Sequence, residues 1–190
     1  MNSQEVLKLF EDSGALLRGH FKLTSGRHSD VYYEKFALLK NPAICTKICA
    51  EIANYFKDKN VEKVVGPTLG GVIIAYEVAR YLEVTAAFAE QSENGRVFKR
   101  DFTIEKAEKV LIVDDVLSTG RSVNEVISLV NQYQADIVGI GVVLDRSGGK
   151  SKFDCPLYTV SSIEADSWEE NKCPQCKKGL ELTQRGSRKN

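Results

Sequence analysis

Apolar positions recur at helical spacing in the first part of the chain. Val6, Leu7, Leu9 and Phe10 form a stripe that Ser3 can cap and that ends near Ser13-Gly14. Asn41-Pro42 supplies a cap and a first-turn proline, and Ile44, Ile48, Ile52 and Phe56 follow on one face, which predicts a helix over 42–57. Between them, 19–35 has no helical period and reads as short strands and turns. From residue 61 strand and helix alternate: strands at 61–65, 84–89, 110–113 and 137–144, helices at 71–82 and 121–133. Residues 90–103 are polar and read as a long exposed loop or hairpin. Uniformly apolar strands alternating with helices indicate an α/β domain whose sheet is mainly parallel, twisted and flanked by helices.

The expected division is a main domain over 1–165 and an appendage over 166–190, where the composition turns polar. Twenty-six basic and 26 acidic residues cancel, so no global field recruits nucleic acid or a membrane surface. The N-terminal stretch lacks the apolar region of a signal peptide and no run is long enough to span a bilayer, so the expected location is cytoplasmic. Five cysteines, an odd number, argue against a disulfide framework. Cys45 and Cys49, four apart on a predicted helix, read as small core residues.

The most informative segment is Val110-Leu-Ile-Val-Asp114-Asp115-Val-Leu-Ser118-Thr119-Gly120-Arg121-Ser122. A buried strand ends in two carboxylates, and a turn of small residues then opens a helix. The N–H groups of such a turn bind phosphate, and Gly120 lets the backbone approach it, with hydroxyls from Ser118, Thr119 and Ser122 beside it. Carboxylates repel phosphate, yet they accept hydrogen bonds from vicinal hydroxyls. Phosphate beside a diol describes a ribose 5-phosphate. Taken alone, the two acids could instead merely cap the next helix.

The segment resembles the signature by which type I phosphoribosyltransferases bind 5-phosphoribosyl-1-pyrophosphate (PRPP). That resemblance implies the fold of those enzymes with a small hood, here 14–38 and 145–165. It also implies ribose hydroxyls on Asp114 and Asp115 and the 5-phosphate on Ser118 to Ser122. Gly19-His-Phe-Lys-Leu-Thr-Ser25-Gly-Arg-His-Ser29, followed by Tyr32-Tyr33, resembles the hood of orotate phosphoribosyltransferases. Aromatic walls and a cation suit a flat anionic base, which makes Ser25, Tyr32, Tyr33 and Lys35 candidate binding residues. Leu144-Asp145-Arg146 resembles the family's strand end, where the arginine meets the orotate carboxylate; an ordinary salt bridge for Arg146 is the alternative. Thr68 and Gly70, in Gly66-Pro67-Thr68-Leu69-Gly70-Gly71, match the loop that contacts pyrophosphate.

Residues 90–103 occupy the position of the family's mobile catalytic loop but lack its Lys-x-His-Gly run. Arg96, Lys99 and Arg100, beside Asn94-Gly95, are the cations offered instead, and Glu-Asn-Gly resembles a second branch of the same enzymes. Thr24 stands where the family's hood carries a lysine. The resemblance implies transfer of the phosphoribosyl group of PRPP to orotate, giving orotidine 5′-monophosphate and pyrophosphate in pyrimidine synthesis. It further implies Mg²⁺ held by PRPP rather than by protein side chains, and a homodimer. A purine or other base as acceptor, or a PRPP-sensing regulator, would share Asp114 to Ser122. A dinucleotide-binding oxidoreductase is excluded, because no Gly-x-Gly-x-x-Gly follows the first strand.

Cys173-Pro-Gln-Cys176 looks like one knuckle of a zinc ribbon, a pairing also found in the Glu-Asn-Gly branch. A structural zinc requires four ligands. No second knuckle follows, Cys155 is the nearest other cysteine, and both histidines lie in the hood segment. Zinc shared between two subunits and a pair of inert thiols are both open readings.

Overall fold

The computed structural model describes residue 1 and residues 3–23, 25–93, 95–162 and 166–185; of Ser3 only the backbone is described. The expected Ser3 cap and the positions of Thr24 and Asn94 therefore lie outside the described residues. Helix α1 is Ser3–Asp12, with Val6 and Phe10 buried. Strands β1 (Leu16–Lys22) and β2 (His28–Tyr33) pair antiparallel. A short α2 (Lys35–Leu39) leads to α3 (Pro42–Phe56), where the Asn41 side chain accepts from the Ile44 N–H as expected. Ile48, Ile52 and Phe56 of α3 are at most 1% exposed, each burial contributing about 1.5–3 kcal/mol. Cys45 and Cys49 are core residues.

β3 (Lys63–Pro67), α4 (Gly70–Leu82), β4 (Thr85–Ser92) and β5 (Gly95–Phe98) follow. Next come β6 (Lys109–Leu117), α5 (Arg121–Gln132), β7 (Asp136–Asp145) and β8 (Leu157–Ser162). The six-stranded sheet has the order β5-β4-β3-β6-β7-β8. Its pairings are parallel except β4 with β5, the hairpin within the segment read as loop or hairpin.

Alternation along the central strands separates two cores. Val64, Leu111 and Val113 face α3 and α4, while Val65, Val110 and Ile112 face α5. From β3 the chain winds toward β4, and from β6 it winds toward β7. The loops that leave β3 and β6 thus diverge, and a crevice opens at their carboxyl ends.

Two segments differ from expectation. Within 145–165, assigned to the hood, β8 instead extends the main sheet beside β7. It is an edge strand of half-buried residues, Leu157–Ser162, so its apolar signal is weak. The short α2 falls at 35–39, where the sequence pattern marks no element. The appendage adds α6 (Pro174–Lys177) and β9 (Thr183–Gln184), and β9 joins the hood sheet beside β1. Among the described residues no helix is long and apolar enough to cross a membrane.

Candidate functional site

β6 delivers Asp114 and Asp115 to the crevice, 6% and 5% exposed. The Asp115 N–H donates to Asp114 Oδ1 at 2.8 Å, which fixes that carboxyl. Burial, reinforced by the neighbouring Asp115 charge, pushes Asp114 up to about 7. The Asp115 N–H, Lys35 and Arg96 act in the opposite direction. Lys35 Nζ lies 3.0 Å from Asp115 Oδ2 and donates to Oδ1 at 3.3 Å. Oδ2 accepts no well-directed hydrogen bond, although it is buried. That oxygen is balanced by the Lys35 charge rather than by a directed donor.

The turn after β3 closes on the same carboxylate. A Cβ on Gly70 would lie 1.6 Å from Asp115 Oδ2, so only glycine permits this approach. On the other side of the crevice Gly120 takes φ +75° and starts α5. Among the described residues the N–H groups of Ser118, Thr119 and Gly120 have no hydrogen-bond acceptor, whereas the Arg121 N–H reaches Thr119 Oγ1 at 3.4 Å. Free donors at a helix start form an anion cradle. Thr68, Gly70, Asp114, Asp115 and 118–122 thus come together as one site.

Arg146 leaves the end of β7, its N–H donating to the Leu117 carbonyl at 2.7 Å. Its exposed guanidinium sits 5.7 Å from the Tyr33 ring centroid. Asp145 instead accepts from the Ser147 N–H at 2.7 Å, and among the described residues no carboxylate pairs with Arg146. Of the salt-bridge alternative, the pairing with Asp145 is not made. Tyr32 and Tyr33 do not form two equal walls. Tyr32 is half-buried and packs 5.5 Å from Phe21, whereas Tyr33 is 8% exposed, with burial pushing its phenol up to about 12. Successive strand residues point to opposite faces, so one ring lies in the core. Ser25 is exposed at the hairpin tip and accepts from the Arg27 N–H at 3.5 Å.

The three loop cations separate. Arg96, only 6% exposed in its side chain, pairs with Glu125 of α5 at 3.2 Å. Its Nη1 also donates to Thr68 Oγ1 at 3.2 Å, to the Thr68 carbonyl at 3.4 Å and to the Ala89 carbonyl at 3.2 Å. Arg96 is thus a fixed bridge between the two halves of the crevice, not a free loop cation. Lys99 and Arg100 are exposed and lie against Glu90 at 3.7 and 3.0 Å. The sequence reading missed Glu125, which also holds Arg121 at 2.8 Å; the i,i+4 spacing of that pair was the available signal.

Cys173 and Cys176 do not stand alone. The appendage brings them against His20 and His28 of the hood, with their ligand atoms all within 4.8 Å of one another. Two further candidate ligands thus come from the same chain. Cys155 takes no part in this group.

Known proteins match the whole arrangement. The phosphoribosyl transferase domain family matches residues 36–175. An orotate phosphoribosyltransferase of Caldicellulosiruptor bescii is 41% identical over 189 residues, covering 100% of both chains. One from Chlorobium phaeobacteroides is 42% identical over 190 residues, covering 100% of this chain and 98% of its own. Among solved structures, orotate phosphoribosyltransferase from Aeropyrum pernix superposes with a TM-score of 0.71 at 24% identity, over 83% of this chain and 93% of its own, a likeness of fold. Identity along its full length and the shared architecture together place this chain in the phosphoribosyltransferase family, as one of the orotate phosphoribosyltransferases.

Proposed function

We propose that the chain transfers the phosphoribosyl group of PRPP to N1 of orotate, releasing pyrophosphate and forming orotidine 5′-monophosphate. The observation that carries this reading is the full-length identity of 41% to orotate phosphoribosyltransferases. The crevice chemistry supports it independently: an anion cradle, a paired carboxylate and an exposed guanidinium.

In this reading the N–H groups and hydroxyls of 118–122 hold the 5-phosphate. Asp114 and Asp115 accept from the ribose hydroxyls. Thr68 and Gly70 present the turn that receives pyrophosphate, and Arg146 meets the orotate carboxylate as a bidentate fork. Lys35 holds Asp115 and adds positive charge near the base. Tyr32 lines the base pocket from the hood, with Tyr33 backing Arg146 and Ser25 at the rim. Lys99 and Arg100 are held only by exposed pairs with Glu90, worth about 0–1 kcal/mol. They are therefore free to close over the leaving group, in this subunit's site or a neighbour's.

The acceptor set fits a Mg²⁺ complex of PRPP, since buried carboxylate oxygens beside an anion cradle can take hydroxyl or metal-bound water. Asp114 and Asp115 would hold that complex, and the metal, carried mainly by PRPP oxygens, would supply charge neutralisation for pyrophosphate. The protein's share is alignment and exclusion of water, where orientation can supply roughly 7–11 kcal/mol. No protein nucleophile is needed. A homodimer and a cytoplasmic location belong to the same proposal. Leu69, Ile73 and Tyr76, 74%, 42% and 63% exposed around the start of α4, offer apolar surface for the dimer.

The test follows loss of orotate absorbance with PRPP and Mg²⁺, alongside a panel of purine and pyrimidine bases. Turnover confined to orotate supports the assignment. Pyrophosphate release only with another base would overturn it and leave the PRPP site standing.

A further inference from the structure

We infer that His20, His28, Cys173 and Cys176 form a structural zinc site that fastens the C-terminal appendage to the hood hairpin. The inference does not depend on the base or on catalysis.

The four side chains converge from three places: His20 on β1, His28 at the start of β2, and both cysteines around α6. His20, His28 and Cys173 are 4%, 1% and 0% exposed. Cys176 Sγ lies 3.3 Å from His28 Nδ1 and 3.6 Å from His20 Nε2, and Cys173 Sγ lies 3.5 Å from His20 Nε2. The two ring nitrogens are 3.0 Å apart. Zinc bonds of about 2.3 Å to sulfur and about 2.0–2.1 Å to nitrogen place tetrahedral ligands roughly 3.3–3.8 Å from one another. Three sulfur–nitrogen distances already match, the nitrogens must spread by a few tenths of an ångström, and the remaining pairs, within 4.8 Å, must close to the same range.

Hydrogen bonding alone does not account for this arrangement. His20 Nδ1 lies 2.9 Å from the Leu180 carbonyl, which can only accept. The proton is therefore on Nδ1, and a ring that ligates through Nε2 turns its single lone pair inward. His28 Nδ1, Cys173 Sγ and Cys176 Sγ all crowd around that one lone pair. A cation at their centre resolves the crowding, because each group then directs its own electron pair to it. The Leu180 carbonyl is also the kind of partner that orients a ligating imidazole. Two thiolates and two imidazoles favour zinc over magnesium or calcium, and four closed, mostly buried ligands describe a structural site.

The appendage needs such a fastening. No residue beyond Val160 joins either apolar core among the described residues. Leu180 and Leu182 are 49% and 40% exposed. Among the described residues what remains is the bridge between His28 and Trp168, the two-residue pairing of β9 with β1, and hydrogen bonds from His20 to Leu180, from Arg27 to Ser167 and from Ser29 to Asp166. A segment with so little apolar burial depends on a cross-link. Because His20 and His28 flank the hairpin tip that carries Ser25, the same ion would hold both hairpin strands in register.

The test is metal content and coordination, not activity. Protein purified from zinc-supplemented cultures should carry about one zinc per chain by elemental analysis. Exchange for Co²⁺ should give a thiolate-to-cobalt charge-transfer band and the intense visible bands of a tetrahedral site. Cys176→Ser and Cys173→Ser should each lose metal, while Cys155→Ser keeps it. Should a cysteine variant fail to fold, chelation of the wild type decides: trypsin should cut at Lys177 and Lys178 at least roughly 10-fold faster, with the α/β core intact. Wild-type protein that holds less than about a tenth of an equivalent and gives no cobalt bands overturns the inference. So does a Cys173→Ser/Cys176→Ser double variant with undiminished metal, or a chelated wild type whose appendage stays protected.

Discussion

Replacing Asp114 by asparagine should stabilise the unliganded protein and at the same time weaken PRPP binding. Burial and the Asp115 charge raise the Asp114 carboxyl to about 7, against roughly 3.9 in an unfolded chain. A carboxyl raised on folding contributes stability that is complete below the unfolded value and lost as pH climbs through the folded one. Above pH 7 the ionised wild type therefore bears a cost of about 4 kcal/mol at most, of which about 2.3 kcal/mol develops between pH 5 and 7. Asparagine keeps the Oδ1 acceptor for the Asp115 N–H but places a new amide donor in the crevice, so a net gain of about 1–3 kcal/mol at pH 8 is expected. In a chain of this size that raises Tm by roughly 2–10 °C. Loss of a charged acceptor for ribose hydroxyls should weaken PRPP by roughly 10- to 150-fold. Thermal melts of both proteins without ligand, from pH 5 to 9, measure the first effect, and titration calorimetry with Mg²⁺·PRPP measures the second. An advantage for the Asp114→Asn variant that fails to grow between pH 5 and 7, or a variant less stable than wild type at pH 8, would refute the electrostatic reasoning.

Two further substitutions separate roles that look alike in sequence. Arg146→Ala should raise KM for orotate roughly 10- to 150-fold, the value of a charged hydrogen-bond pair, with KM for PRPP little changed. Initial rates with each substrate varied check this, and an equal rise in both would remove Arg146 from the base pocket. Arg96→Ala should lower stability by about 2–4 kcal/mol, since it removes a buried guanidinium that serves Glu125, Thr68 and Ala89. Lys99→Ala, at an exposed pair, should change stability by less than about 1 kcal/mol. Melts of the two variants side by side decide the matter: an unchanged Tm for Arg96→Ala with a collapsed turnover would return Arg96 to the role of a mobile loop cation.

The parts of the site legible in sequence are those whose chemistry is contiguous. Asp114 to Ser122 forms one strand, one turn and one helix start, so local spacing already dictates where carboxylates and N–H groups point. Asn41-Pro42 and the apolar steps of α3 are legible for the same reason. β8 is not, because an edge strand exposes half of each side chain and carries Thr159, Ser161 and Ser162 without penalty. Tyr32 and Tyr33 read alike because adjacent strand residues share a motif, yet they occupy opposite faces.

Arg96 and the two histidines share a deeper reason for being hidden. Each acts by joining segments far apart in the chain: Arg96 ties the β3 turn to α5, and His20 with His28 meets cysteines more than 140 residues away. Sequence displays residue type and spacing, and by those criteria Arg96 is one more loop cation and Cys173-x-x-Cys176 is half a metal site. The distinguishing quantity is burial, since a guanidinium 6% exposed and imidazoles 4% and 1% exposed must find partners where an exposed one need not. Burial depends on how the sheet order brings β5 over α5 and β9 beside β1, which no local pattern encodes. Where polar side chains are buried by distant segments, the fold itself supplies the other half of the motif.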